Sequence, residues 1–151
     1  GVGTIAAGWT AAIAAMHGQY LVALISIALG GALLGFLPYN YPKASSFLGD
    51  AGSHLVGFLL AVLAILPHFY SDTNPRPLAV ISPLLILGVP LLDLVWVVIL
   101  RTRLGKPFWI GDNNHLSHQL NRRGFSRPVA VMILWVLGLA LGALAFLINR
   151  G

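Results

Sequence analysis

The sequence predicts an all-α fold: a polytopic bundle of transmembrane helices, with about four full spans, one partial span at the start, and a cytoplasmic amphipathic helix. Three observations carry that expectation. Of 151 residues, 58% are hydrophobic and 9% charged, and the mean hydropathy is +0.86; a soluble domain carries about 25% charged residues. The apolar residues come in long runs, near the ~20 residues that cross ~30 Å of hydrocarbon at 1.5 Å rise per residue. The runs lack alternation with period two, which argues against a membrane barrel and leaves helices, whose backbone groups satisfy one another without water. The chain has no cysteine, so a disulfide framework and a thiolate metal site are excluded.

The elements follow in order. Residues 1–16, GVGTIAAGWTAAIAAM, read as the tail of a longer helix in a chain expected to lack its N-terminal part; with no charged n-region or cleavage site, they do not read as a signal peptide. Residues 20–37, 51–70, 78–100 and 128–148 are the four spans. The connector HGQ at 17–19 is a tight polar turn, and SDTNPRP at 71–77 is a short turn-rich loop. Residues 38–50, PYNYPKASSFLGD, contain two prolines and are irregular in part. Residues 101–127 form the large polar excursion. Of the nine Lys and Arg, seven lie in the 38–50 and 101–127 loops and two, Arg76 and Arg150, on the opposite side. The positive-inside rule therefore places the two long loops in the cytoplasm. Gly138 and Gly142, one helical turn apart, suit close helix packing. The whole chain, 1–151, reads as a single membrane domain.

Four acids, all aspartates, limit where chemistry can lie. Asp50, in FLGDAGS, sits at the mouth of the third span. It suits a helix N-cap, and equally a magnesium ligand beside a phosphate at a helix N-terminus. Asp93 lies within the fourth span, eight residues before Arg101 and so ~12 Å from the cytoplasmic end. A charge there costs several kcal/mol unless paired or facing water. It is either a structural partner of another helix or a second acid in a cytoplasmic cavity, and Pro90 is expected to kink the helix nearby. Asp112 can cap, and Gly124 can stop, a short helix on which His115, His118 and Arg122 share one face. That face suits anionic lipid or a diphosphate. Asp72 reads as turn chemistry. His54 is close enough to Asp50 in sequence to matter, and Trp109 suits an interfacial anchor.

The strings NYPKASSFLGDAGSHLVGFLLA, PLLD and RTRLGKPFWIGDNNHLSHQLNRRGFS, in this order and spacing, resemble the polyprenyl-phosphate N-acetylhexosamine-1-phosphate transferases. These are glycosyltransferases of family 4, akin to phospho-N-acetylmuramoyl-pentapeptide transferase. The resemblance covers nearly the whole chain and makes it the C-terminal part of a larger transferase domain. It implies a multi-pass enzyme of the bacterial inner membrane with its active site on the cytoplasmic face. The reaction it implies moves a sugar-1-phosphate from a UDP-sugar to undecaprenyl phosphate and releases UMP, in cell-envelope polysaccharide synthesis. The resemblance implies a place in cell wall biogenesis, in lipopolysaccharide or teichoic acid synthesis. The run after Gly105 is closer to the N-acetylglucosamine-1-phosphate branch.

By the same resemblance Asp50 is the magnesium ligand, with manganese as the alternative ion. His115 and His118 fall in a His-x-His-His motif that contacts the nucleotide-sugar phosphates, and are assigned to catalysis with Asp50. Asn40, Phe47, Ser117, Arg122 and Asp93 are assigned to substrate binding. The motif's central histidine is Ser117 here, and the following arginine is Gln119; a serine hydroxyl hydrogen-bonds but cannot become a cation. The family's aspartate-rich motif does not occur in these residues, so the chain alone is expected to be inactive. The expected partners are a UDP-sugar, polyprenyl phosphate and the membrane, with no nucleic acid; oligomeric state is open, a dimer included. Two other readings remain: a degenerate paralogue that binds nucleotide-sugar without turnover, and a transporter subunit with Asp93 and His54 along a pathway.

Overall fold

The computed structural model describes residues 1–42, 44–67, 77–105 and 115–150. Asp72, His68, Trp109 and Asp112 lie outside them. The described residues form helices and no strand. In chain order these are α1 (Val2–Met16), α2 (Tyr20–Asn40), α3 (Gly49–Ile65), a 3-10 turn (Pro77–Ile81), α4 (Ser82–Ile86), α5 (Gly88–Arg103), α6 (Leu116–Arg122) and α7 (Arg127–Arg150).

α1 is the hub. It packs on α2, α7, α3 and α4, and its alanines explain why: Ala6, Ala7, Ala11 and Ala14 are buried and let neighbouring backbones approach closely. Ile13 fills the centre, joined by Leu60, Ala79, Ile86 and Ala145. The Trp9 ring lies 5.7 Å from Phe146 of α7, tilted by 49°. Gly142 leaves the room for it, since a Cβ there would overlap the indole, whereas at Gly138 the nearest atoms stand at 3.6 Å. Both glycines face the core as expected; only Gly142 is indispensable to the fit.

Two of the expected spans, α2 and α7, are long and apolar enough to cross a membrane, at 21 and 24 residues. α2 runs past Pro38 to Asn40 rather than stopping at 37, because a proline so near the end forfeits only one backbone bond. The third is present as α3, 17 residues ending at Ile65. The fourth is not one rod. Pro77–Ile86 and Gly88–Arg103 meet at 70°. The break lies at Leu87, three residues before Pro90, since the proline ring clashes with the carbonyl four residues back, that of Ile86, and offers it no N–H. At this corner the Leu141 side chain of α7 lies against Gly88.

Candidate functional site

The C-terminal end of α2 and the loop after it build one wall. Tyr39 carbonyl oxygen, left over at the helix end, accepts the Ser45 N–H at 2.8 Å, the Ser46 N–H at 3.1 Å and the Ser45 hydroxyl at 3.0 Å. The Asn40 amide reaches the Ser46 carbonyl at 3.4 Å. The loop is thereby folded back on the helix, and Phe47 is held out at 77% exposure.

α3 then starts at Gly49, whose φ of +68° suits a residue without Cβ. Asp50 falls in the first turn, and its side chain does not cap the helix; Leu48 occupies the N-cap position. The capping expectation for Asp50 is thus corrected. Its carboxylate is exposed and still lies where the helix N-terminus favours negative charge. His54, one turn on, places Nδ1 2.7 Å from the Asp50 backbone oxygen.

The opposite wall is α6 and the start of α7. α6 begins at Leu116 with His115, extended at ψ 156°, at its N-cap. The cap comes from another helix. Asp93 accepts the Leu116 N–H at 2.6 Å on one oxygen and the His115 Nδ1–H at 2.7 Å on the other. The carboxylate is therefore paired across helices. It fixes the imidazole with Nδ1 protonated and Nε2 turned outward. α6 ends as expected at Gly124, with φ +95°.

Between the walls lies a cleft of about 960 Å³. It is lined by Asn40 and Phe47 from the loop wall and by Ser117 and His118 from α6. Its floor is aromatic: the Tyr41 and Trp135 rings are 5.2 Å apart. A second cleft of about 490 Å³ adjoins it and is cationic, lined by His118, Arg122 and Arg127 with Asn121 and Ser126. His118, Asn121 and Arg127 belong to both.

Four of the residues assigned from sequence are thus gathered in one cleft and Arg122 in its neighbour. His115 and Asp93 form a pair that lines neither. The single face expected for His115, His118 and Arg122 is corrected accordingly: the extended backbone of His115 takes it out of helical phase. Asp50 lines neither cleft, though Phe47 three residues earlier does. Tyr41, Asn121, Arg127 and Trp135 were missed from the sequence. Asn121 lies three residues after His118, and Pro128, Val131 and Trp135 follow i, i+3, i+7. Continuing the helical face of His118 and tracing that of Pro128 would have found Asn121 and Trp135.

Comparison with known proteins bears on this arrangement. The family model for Glycosyl transferase family 4 matches residues 1–68. Over 134 residues the chain is 40% identical to the decaprenyl-phosphate N-acetylglucosaminephosphotransferase of Mycobacterium tuberculosis, covering 82% of this chain and 33% of that protein. Residues 1–68 of the chain thus resemble glycosyl transferase family 4. Other relatives agree with that resemblance. One is a probable undecaprenyl-phosphate N-acetylglucosaminyl 1-phosphate transferase of Bacillus subtilis, 30% identical over 91% of this chain and 38% of that protein. Another is a phospho-N-acetylmuramoyl-pentapeptide-transferase of Limosilactobacillus fermentum, 34% identical over 95% of this chain and 42% of that protein. The chain spans 33–42% of the length of these three relatives. No solved structure matches it.

Proposed function

We propose that this chain forms the cytoplasmic-side substrate cleft of an inner-membrane enzyme that transfers N-acetylglucosamine-1-phosphate from its UDP derivative to undecaprenyl phosphate. The observation that carries the proposal is the paired cleft. An aromatic, amide-rimmed compartment with Phe47, Tyr41 and Trp135 suits a flat base and sugar. The adjoining compartment with His118, Arg122 and Arg127 suits a diphosphate. The names of relatives in Mycobacterium tuberculosis, Bacillus subtilis and Haemophilus influenzae, all N-acetylglucosamine phosphate transferases, support the substrate class.

In this reaction an oxygen of the lipid phosphate forms a new bond to the β-phosphorus of the UDP-sugar. The bond from that phosphorus to the bridging oxygen breaks, and the bridging oxygen leaves with UMP. Such transfers are largely positioning and charge neutralisation. Asn40 and Phe47 hold the nucleoside end against the cleft wall. His118, Arg122 and Arg127 hold the phosphates and offset their charge. His115, kept in one orientation by Asp93, presents Nε2 as a fixed acceptor.

Among the described residues no cluster of three His, Cys, Asp or Glu could hold a metal. Magnesium does not require one: it keeps several waters and is held by one or two carboxylates together with substrate phosphates. The exposed carboxylate of Asp50 at the start of α3, outside both clefts, has the chemistry for that, and magnesium, or manganese in its place, would supply charge neutralisation to a diphosphate. Ser117, a hydroxyl at a position where the family pattern has a histidine, favours a second reading in which the cleft binds nucleotide-sugar without turnover.

One experiment separates the two readings. The purified full-length protein is assayed for UMP release with and without divalent cation and polyprenyl phosphate. Release that requires both is the expected result, and Asp50→Asn should lower it by about 100-fold or more. Binding of UDP-N-acetylglucosamine without release establishes the binding-only reading, and wild-type turnover by Asp50→Asn removes Asp50 from the metal site.

A further inference from the structure

We infer that Asn121 selects an acetamido sugar over its hydroxyl counterpart: its side-chain oxygen accepts the N–H of the 2-acetamido group, while the Ser117 hydroxyl donates to the acetyl oxygen. This rests on the nucleotide-sugar reading of the paired cleft, and it holds with or without turnover.

Asn121 Oδ1 is shut off from solvent and has no hydrogen-bond partner among the described residues. A dry acceptor without a donor is unfavourable, and native proteins keep few of them. The position narrows what the missing donor is. Asn121 lines both the aromatic cleft and the cationic one, so it stands where a ligand spanning the two passes from sugar to diphosphate. The last torsion of a carboxamide is soft, and turning it brings the oxygen to a donor in the cleft. Ionised phosphate oxygens only accept, so the diphosphate itself cannot satisfy this atom. A cation is disfavoured as well: Arg122 and Arg127 stand beside Asn121, and no carboxylate lines either cleft among the described residues.

A UDP-sugar has two N–H groups, one on uracil and one on the acetamido substituent. The uracil N–H is a ribose away from the diphosphate. The acetamido group sits on C2, next to the carbon that carries the phosphate, and is the donor within reach of the junction. Ser117 completes the fit. It lies one turn before Asn121 on α6 and lines the larger cleft with it, and residues so spaced have Cβ atoms about 5–6 Å apart. In a trans amide the N–H and the C=O point to opposite sides. One acetamido group laid along this face therefore meets an acceptor at Asn121 and a donor at Ser117. A 2-hydroxyl has a single oxygen and cannot span the two, so one of them stays unpaired. A site that hydrogen-bonds a substrate group rejects the analogue lacking it.

The competing explanation is that water, or a part of the protein beyond the described residues, donates to Asn121. It predicts that replacing Asn121 alters the affinity for both sugars alike. The test is calorimetric binding of UDP-N-acetylglucosamine and UDP-glucose to full-length protein in detergent, without lipid acceptor. Wild type should prefer the acetamido sugar. Asn121→Leu, similar in size, should cut that preference by about ten-fold or more, and Ser117→Ala should cut it less. Asn121→Asp keeps an acceptor; its charge should weaken both ligands while the preference survives. If wild type binds neither nucleotide-sugar, the reading of the cleft fails and the inference with it. If it binds both equally, or if Asn121→Leu leaves the preference unchanged, the cleft reading stands and the role of Asn121 is overturned.

Discussion

Asp93 accepts two hydrogen bonds from the start of α6, 22 and 23 residues further along the chain. A carboxylate with donors on both oxygens is a different object from an unpaired acid in a greasy helix. The anomaly was legible in the sequence, because an aspartate within an apolar run demands a partner. The partner was not legible: residues 104–115 separate the two helices, and no periodicity spans such an excursion. The arrangement makes a prediction about protons. In Asp93→Asn the amide oxygen can still accept the Leu116 N–H, but the NH₂ group then faces His115 Nδ1 and must donate. The ring proton should move to Nε2, turning an outward acceptor into an outward donor. Nitrogen-15 chemical shifts of His115 would report the exchange. An unchanged tautomer in the variant would mean that Asp93 does not orient this ring.

At the scale of helices, composition and run length were enough to locate α2, α3 and α7, because burial and span length act through many residues at once. Local chemistry was harder to place. Pro90 marked a kink, yet the break falls at Leu87, where the ring meets the Ile86 carbonyl one turn back. Asp50 had the right residue type for a cap, yet Gly49 in the left-handed region shifts it into the first turn. The two glycines of α7 looked equivalent in sequence and are not. Gly142 faces the Trp9 indole directly, while Gly138 has ordinary clearance to Ile5 and Val89. Gly142→Ala should therefore force α1 and α7 apart and cost about 1–3 kcal/mol, the usual range for overpacking. Gly138→Ala should be near neutral. Thermal unfolding of the two variants in the same detergent would decide it, and equal effects would remove the indole from the account.

Across the whole molecule the bundle is tied at both ends of α7. At one end Arg127, Ala130 and Trp135 line the cleft. At the other, ~33 Å along the helix at 1.5 Å per residue, Asn149 is fully buried. Its amide NH₂ donates to the Ser82 hydroxyl at 2.6 Å and to the Ala145 carbonyl at 2.8 Å, and its oxygen lies 3.2 Å from His17 Nε2. This one side chain joins α7 to the broken span through Ser82 and to the end of α1 through His17. α5, which leaves that corner, carries Asp93, so the far clamp holds the span from which the Asp93–His115 pair is built. Interhelical polar contacts in membranes average below 1 kcal/mol and reach about 1.7, and an unsatisfied buried partner adds to the loss. Asn149→Ala should thus lower stability by about 1–3 kcal/mol while leaving the KM for nucleotide-sugar unchanged, since no cleft residue is touched. Ser82→Ala should do the same more weakly, and the double variant should lose less than the sum, as expected when two residues share one bond. Strict additivity in the unfolding measurements would mean that Asn149 and Ser82 stabilise the bundle independently.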